Sequence, residues 1–265
     1  MLKYALAALI AAVAIGGAYY YWQAPLMNDQ EKNSDMLRNG DAGGIVTEDA
    51  GYFENTRGFY AAPKAPGDYP GVVMIHEWWG LNENIRDMAR ELAREGYQVL
   101  AVDLFGKVAA TPDEARSQVS ALDQARATEN LRAAAAFLRE RGSGRIASLG
   151  WCFGGAQSLR LALSGEPLDA TVIYYGNLVT DKTELQKIKW PVLGIFGEKD
   201  ASIPVDTVYT FRDALAFLGI PQSVHVYPGV GHAFANPSGT NYASEETKDA
   251  WAKTVAFLGE HLKGK

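Results

Sequence analysis

The turn that decides the fold reads Ser148-Leu149-Gly150-Trp151-Cys152-Phe153-Gly154-Gly155. An apolar run leads into it and a helix-like run follows it, which predicts a sharp passage from a strand into a helix. Glycines on both sides of Cys152 let a crowded backbone close around that residue, as in a nucleophile turn of the form G-x-C-x-G. Cys152 is the only cysteine in the chain. The competing interpretation is a buried structural thiol, because free cysteines often behave as small apolar groups.

Outward from this turn, short apolar runs alternate with longer helix-like runs from residue 45 onward. The alternation predicts an α/β fold with a mostly parallel central sheet and helices on both faces. Continuous apolar runs suit strands buried on both faces, whereas the first two strands look like a more polar, antiparallel edge. The predicted strands are Ile45–Glu48, Thr56–Ala61, Val72–His76, Gln98–Asp103, Arg145–Leu149, Ala170–Tyr175, Val192–Phe196 and Ser223–Tyr227. The predicted helices are Asn84–Glu95, Pro112–Arg141, Gly155–Ser164, Pro204–Leu218 and Glu245–Leu262.

The composition narrows the function classes. A length of 265 residues and an unbroken alternation after residue 45 favour one large domain, 45–265. A formal net charge of −6 offers no basic surface for nucleic acid, so we expect no nucleic-acid partner. A single cysteine excludes an internal disulfide and a cysteine-rich zinc site. We expect neither a metal nor a cofactor, and we expect a monomer.

The amino-terminal segment, residues 1–27, is typical of an export signal. The nineteen residues of Tyr4–Trp22 carry no charge, follow Lys3, and end in a cluster of aromatic residues. A helix of that length spans about 28 Å, close to the thickness of a membrane core. One interpretation is therefore an uncleaved membrane-spanning anchor, and the other is a signal peptide cleaved near Gly16-Gly17-Ala18. Both place the rest of the chain on the periplasmic side of the inner membrane or beyond it, after a polar linker at 28–44. We expect membrane contact only through this helix.

A thiol needs a base and a group that orients the base, since its ordinary pKa of about 8.5 leaves it mostly protonated. Asp200 follows the apolar strand Val192–Phe196, and His232 follows the strand-like run Ser223–Tyr227. Both then lie in loops at the carboxyl ends of strands. The chain order nucleophile, acid, histidine is that of α/β-hydrolase folds. In this hypothesis His232 takes the proton of Cys152, and Asp200 holds the imidazole in the useful tautomer.

Each member has a structural alternative. Asp200 also suits a turn or a helix cap ahead of Pro204. Three other histidines compete with His232: His225 alternates inside a strand, His261 lies on the last helix, and His76 ends a buried strand.

The segment His76-Glu77-Trp78-Trp79-Gly80 follows the strand Val72–His76. It is not a zinc-protease motif, because that motif needs a second histidine one turn after the glutamate. Its position next to the same rim predicts that Trp78 supplies one backbone N–H of an oxyanion hole, while Phe153 supplies the other. Trp79 is the expected wall of the pocket. A plain packing role is the alternative for both tryptophans.

Together, the Cys152 turn, Glu77-Trp78-Trp79-Gly80, the Gly197-x-x-Asp200 stretch and Gly231-His232-x-Phe234 resemble the dienelactone hydrolases (carboxymethylenebutenolidases), over nearly all of residues 45–262. The resemblance implies the α/β-hydrolase fold and hydrolysis of esters or lactones through an acyl-enzyme on Cys152. It also implies that Glu77 gates the thiol and releases it when substrate binds.

The resemblance implies two arginines that hold a substrate carboxylate, and this chain matches them only in part. Where family members hold a substrate carboxylate with an arginine one helical turn after the histidine, this chain has Asn236. A second family arginine corresponds to Arg116 over a short stretch. Loss of a bidentate arginine weakens recognition of an anionic ligand, because charged hydrogen bonds contribute about 1.5 to 3 kcal/mol each. We therefore expect a small ester or lactone other than dienelactone; thioesterase activity and a non-catalytic binding role are the alternatives.

Overall fold

The computed structural model describes residues 44–264, and eight strands in this range form one sheet in the order β1-β2-β4-β3-β5-β6-β7-β8. Strands β3 to β8 run parallel to one another, whereas β2 is antiparallel to both β1 and β4. The strands are β1 Ile45–Phe53, β2 Thr56–Pro63, β3 Gly71–Ile75, β4 Gln98–Ala101, β5 Ile146–Trp151, β6 Ala170–Tyr174, β7 Val192–Gly197 and β8 Gln222–Tyr227. The predicted mostly parallel sheet of eight strands is confirmed.

Helices cover both faces of the sheet. Within residues 44–264 they are α1 Glu83–Arg94, α2 Pro112–Ser120, α3 Gln124–Glu140, α4 Phe153–Leu163, a short α5 Lys182–Leu185, α6 Val205–Phe217 and α7 Ser244–Leu262. Strand β3 shows how the two apolar layers arise: Val72 and Met74 face the layer under α1 and α7, and Val73 and Ile75 face the layer under α3 and α6. This alternation buries every residue of β3, as its continuous apolar sequence predicts.

The single helix predicted over Pro112–Arg141 is wrong. The structure has two helices, because the chain leaves the helical path between Ser120 and Gln124. Asp123 adopts an extended conformation there, and its carboxylate accepts hydrogen bonds from the N–H groups of Ala125 and Arg126, which caps α3. An aspartate in the middle of an apolar periodicity was the available signal for this break. The short helix α5 was not predicted.

The predicted amino-terminal anchor or signal peptide and most of the polar linker lie outside the described residues. Among residues 44–264, no helix combines the length and apolar character needed to cross a membrane.

The loops that follow β3, β5, β7 and β8 matter most for function. Because these four strands run parallel within one sheet, their carboxyl ends lie at the same edge. Glu77, Cys152, Asp200 and His232 follow these four strands in that order. We call this edge of the sheet the catalytic rim.

Candidate active site

Cys152 stands on the tight turn between β5 and α4, with φ 54° and ψ −117°. A left-handed conformation is uncommon for a residue with a side chain, and the surrounding backbone enforces it here. A Cβ on Gly150 or Gly154 would overlap the carbonyl oxygen of Gly154 or of Ile75, respectively. The N–H of Cys152 donates to the carbonyl of Tyr174 on the neighbouring strand, at 3.0 Å. The thiol is half-buried at the catalytic rim.

His232 and Asp200 meet this thiol from two other loops. Nε2 of His232 lies 3.1 Å from Sγ of Cys152, and Nδ1 lies 2.7 Å from Oδ2 of Asp200. The other oxygen of Asp200 accepts the N–H groups of Ser202, at 2.8 Å, and Ile203, at 3.1 Å. Asp200 is thus buried with both carboxylate oxygens occupied, so its position and that of the imidazole are fixed.

These contacts set the protonation of His232. Burial disfavours the imidazolium, but the hydrogen bonds with Asp200 and Cys152 and their charges outweigh it and raise the pKa of His232 to about 10. At neutral pH this pKa keeps the imidazole protonated, so His232 holds a proton that it can give to a leaving group. The edge of the ring also packs against Tyr175, with 5.3 Å between the ring centroids.

Glu77 is the second acidic group near the thiol. Its side chain is buried, and the amide of Asn236 donates to its Oε2. Burial raises the pKa of Glu77 to about 7, and the neighbouring His232 and the Asn236 amide offset part of that effect. A carboxyl group near half protonation at neutral pH therefore lies beside the imidazole.

The two expected oxyanion donors lie at the catalytic rim. Phe153 is the first residue of α4, where backbone N–H groups have no partner within the helix. Trp78 is held from α2, because Nε2 of Gln118 donates to the carbonyl of Trp78 at 2.7 Å. The carbonyl of Trp79 accepts the N–H of Ala109 at 2.8 Å. The rings of Trp78 and Trp79 contact edge to face, with 5.0 Å between their centroids, and both are half-buried.

The two residues expected to contact a substrate carboxylate lie in different settings. Asn236 is buried and occupied by Glu77. Arg116 lies on α2 with its side chain 63% exposed, pairs with Asp113, and places its guanidinium 5.9 Å from the ring centroid of Trp78. A contact between Arg116 and a substrate stays a prediction.

Sequence reasoning missed three residues that shape this site. Tyr175 is fully buried at φ 34°, and its hydroxyl has no hydrogen-bond partner within the described residues. Gln118 reaches the Trp78 carbonyl from a helix that is distant in sequence. His76, which we considered only as a rival of His232, has both ring nitrogens in contact with backbone groups of the rim. In each case the signal is a long-range contact, which single-sequence periodicity does not carry.

The remaining histidines lie away from the thiol. His225 bonds to the hydroxyl of Ser223 at 2.9 Å, and His261 packs on Phe257. Across residues 44–264, no three histidine, cysteine, aspartate or glutamate side chains are grouped so that they could hold a metal ion.

The model of the dienelactone hydrolase family matches residues 56–262 of this sequence. The chain belongs to that family. A curated relative from Aquifex pyrophilus, named Protein usf, is 35% identical over 218 residues, covering 78% of this chain and 94% of that protein. Another from Saccharolobus solfataricus, named as a candidate carboxymethylenebutenolidase, is 31% identical over 243 residues, covering 76% of this chain and 93% of that protein.

Solved structures agree with this membership. A crystal structure from Klebsiella pneumoniae, described as a candidate dienelactone hydrolase, has a TM-score of 0.75 and 32% identity, and covers 82% of this chain and 99% of its own. A dienelactone hydrolase-like promiscuous phosphotriesterase from metagenomic libraries has a TM-score of 0.74 and 25% identity, and covers 83% and 99%. As a dienelactone hydrolase family member with the α/β-hydrolase fold, the chain is a carboxylic ester hydrolase.

Proposed function

We propose that this dienelactone hydrolase family member hydrolyses small esters or lactones through an acyl-enzyme on Cys152. The observation that carries the proposal is the continuous array from Cys152 Sγ through His232 to Asp200, with contacts of 3.1 Å and 2.7 Å. Such an array activates a nucleophile, and the left-handed turn presents that nucleophile at the open rim of the sheet.

Acylation follows from the positions of these groups. The sulfur, whose proton Nε2 of His232 has already taken, attacks the ester carbonyl carbon. The carbonyl oxygen becomes an oxyanion, which accepts hydrogen bonds from the N–H groups of Phe153 and Trp78. When the carbonyl re-forms, the bond to the alcohol breaks. His232 returns its proton to the departing alkoxide, which leaves a thioester on Cys152.

Deacylation repeats the sequence with water. His232 takes a proton from a water molecule, whose oxygen attacks the thioester carbonyl. The same two N–H groups stabilise the second oxyanion. Its collapse breaks the carbon–sulfur bond, His232 protonates the sulfur, and the acid product leaves. Asp200 keeps Nδ1 of the imidazole engaged throughout and stabilises the imidazolium that forms twice per turnover.

Glu77 is proposed to gate this chemistry. Its carboxyl group is buried near His232 and accepts a hydrogen bond from the uncharged amide of Asn236. A substrate entering the rim competes for the space that this carboxyl occupies. Because Glu77 lies beside His232, its displacement would change the charge next to the imidazole only when an ester is present, and this change is the proposed gate on a nucleophile that oxidants would otherwise consume.

The substrate is proposed to be uncharged near Asn236. An amide replaces a cation at this position, and the amide is already bonded to Glu77. Arg116 is exposed and paired with Asp113, so it supplies no buried positive charge. A buried carboxylate without a cation is costly, which favours neutral acyl groups.

The proposal is tested with Cys152→Ala and His232→Ala, assayed on p-nitrophenyl acetate and on a panel of lactones. Each substitution should reduce kcat at least about 1000-fold, because a triad works as a unit. His225→Ala, which changes a histidine far from the thiol, should leave kcat unchanged. Mass spectrometry of rapidly quenched wild-type enzyme should find one acyl group on Cys152. Retained turnover in the Cys152 variant would reject the mechanism.

The same array suits thioesters, and a solved neighbour is described as a promiscuous phosphotriesterase, so both substrate types belong in the panel. Preference for one of them by kcat/KM would reassign the substrate class while keeping the nucleophile. The third alternative, a non-catalytic binding protein, is set aside because family membership makes the chain a carboxylic ester hydrolase.

We also propose export of the enzyme through its amino-terminal segment, on the sequence pattern of Tyr4–Trp22. Mass spectrometry of the membrane and periplasmic fractions of an expressing bacterium distinguishes an intact anchor from a cleaved signal. Recovery of the intact chain from the cytoplasm alone would contradict export.

A further inference from the structure

We propose that His76 is a positioning residue that aims the backbone N–H of Trp78 at the oxyanion. The inference rests on the acyl-transfer mechanism proposed above and assigns a role that the mechanism leaves open: what holds the second donor in place. Nδ1 of His76 lies 2.6 Å from the carbonyl oxygen of Glu77. That oxygen also accepts the N–H of Gly80 at 3.2 Å.

The planarity of the peptide bond connects this contact to the oxyanion hole. The carbonyl of Glu77 and the N–H of Trp78 belong to the same peptide unit, and in a trans peptide they point in opposite directions. Fixing the direction of the carbonyl therefore fixes the direction of the N–H. A hydrogen bond accepted by the carbonyl also polarises the unit, which makes its N–H a stronger donor.

The second ring nitrogen anchors His76 to a different loop. The N–H of Leu104, which follows β4, donates to Nε2 of His76 at 3.1 Å. A carbonyl oxygen can only accept and an N–H can only donate, so the imidazole must be neutral with its proton on Nδ1. Burial agrees, since it lowers the pKa of His76 despite the hydrogen bond to Glu77 and the charge of Asp103.

Packing restricts the orientation of the His76 ring. His76 is fully buried. Its ring lies near Phe105, with centroids 5.0 Å apart, and stacks on Phe153 at 6.1 Å. Phe153 is the residue that carries the first oxyanion donor. One imidazole thus contacts the residue bearing one donor and the peptide bearing the other.

Two substitutions at His76 separate the role of Nδ1 from that of Nε2. In His76→Asn, the side-chain amide nitrogen lies at about the same distance from the backbone as Nδ1 of His76. In His76→Gln, the terminal amide group lies at about the same distance from the backbone as Nε2. His76→Gln should lower kcat about 10- to 100-fold with KM changed less than about threefold, because the donor acts only in the transition state. His76→Asn should recover most of that loss. His225→Gln is the matched control and should keep the wild-type kcat.

Alkylation of Cys152 by iodoacetamide supplies a readout that does not depend on the oxyanion hole. The sulfur displaces iodide from a saturated carbon, so no oxyanion forms. The alkylation rate of folded His76→Gln should stay within about twofold of the wild-type rate while ester turnover falls. Equal losses of kcat in the Asn and Gln variants, or an alkylation rate that falls in parallel with kcat, would overturn the inference. A wild-type rate that survives Cys152→Ala would reject the acyl transfer itself, whereas a Cys152-dependent rate unchanged in His76→Gln would reject only the role of His76.

Discussion

The two halves of the candidate site are held by different means. At the Cys152 turn, backbone segments pack directly against one another. The glycines at 150, 154 and 155 lie close to carbonyl groups of the turn and of two adjacent strands. At the loop after β3, side chains hold the backbone, with His76 on the Glu77 carbonyl and Gln118 on the Trp78 carbonyl. The first half tolerates no added atom. The second depends on a few hydrogen bonds that other residue types could replace.

Because of this difference, we expect substitutions at the turn to have severe effects on stability and substitutions in the loop to have smaller effects on rate. A backbone overlap has no inexpensive relief, because moving it displaces the sheet itself. A lost hydrogen bond costs about 0.5 to 3 kcal/mol and leaves the fold intact. The turn should therefore respond to substitution by losing structure, and the loop by losing rate or changing its pH dependence.

The most severe test of the comparison is Gly150→Ala. The new Cβ would overlap the carbonyl of Gly154, so the turn or the strand must move. We expect a loss of about 3 to 5 kcal/mol in the free energy of unfolding, measured by urea denaturation, together with loss of esterase activity. Gly144→Ala is the matched control, since its Cβ meets no atom within 4 Å. Equal stabilities for the two variants would show that backbone crowding does not hold the turn.

The second test changes Glu77 to glutamine and measures stability as a function of pH. Burial is the main cause that raises the pKa of Glu77 from 4.5 to about 7, and the charge of His232 and the hydrogen bond from Asn236 offset part of the rise. The folded protein therefore keeps a proton that the unfolded chain loses between these pH values, and stability falls as pH rises through the window. Glu77→Gln should be more stable than wild type by about 3 kcal/mol at pH 8 and equally stable at pH 4.5.

The control for this substitution is Glu140→Gln, at the exposed end of α3. It should change the free energy of unfolding only slightly, because this side chain is exposed and removed from the buried groups of the site. A Glu77→Gln effect that does not change between pH 4.5 and pH 8 would contradict the burial argument.

The third test, Gln118→Met, removes a loop contact without changing side-chain volume much. The Trp78 carbonyl would lose its donor from α2, so the segment carrying the oxyanion N–H would be held less firmly. We expect kcat to fall roughly 3- to 10-fold with little change in thermal stability. Ser120→Ala, an exposed change on the same helix, should not alter kcat. A large fall in the thermal unfolding temperature of Gln118→Met would mean that this contact stabilises the fold rather than the transition state of the reaction.

The smallest expected effect comes from a pair of adjacent tyrosines beneath the rim. The hydroxyl of Tyr174 bonds to Thr254 at 2.6 Å, whereas the buried hydroxyl of Tyr175 has no partner among the described residues. Tyr174→Phe should cost about 1 kcal/mol in the free energy of unfolding. Tyr175→Phe should be neutral or stabilise by up to about 1 kcal/mol, because it removes an unsatisfied polar group. Calorimetry of both variants would reveal the opposite order if Tyr175 has a hidden partner.

The same contrast explains what the sequence could predict. The central strands follow from continuous apolar runs, and the Cys152 turn follows from its glycines, since both features are local in the chain. The break at Asp123 was missed because one capping residue interrupts an otherwise helical periodicity. Contacts such as Asn236 with Glu77 or Gln118 with Trp78 join distant positions, and composition and spacing carry no record of them.

The solitary sulfhydryl has a practical consequence. Because the chain contains one cysteine, and that cysteine is half-buried on a strained turn, a maleimide dye or a nitroxide labels the protein at one known residue. Moles of dye bound per mole of polypeptide then count the molecules in a preparation whose nucleophile is intact. A spin label at the same atom would report whether the mobility of the site changes as Glu77 gains or loses its proton.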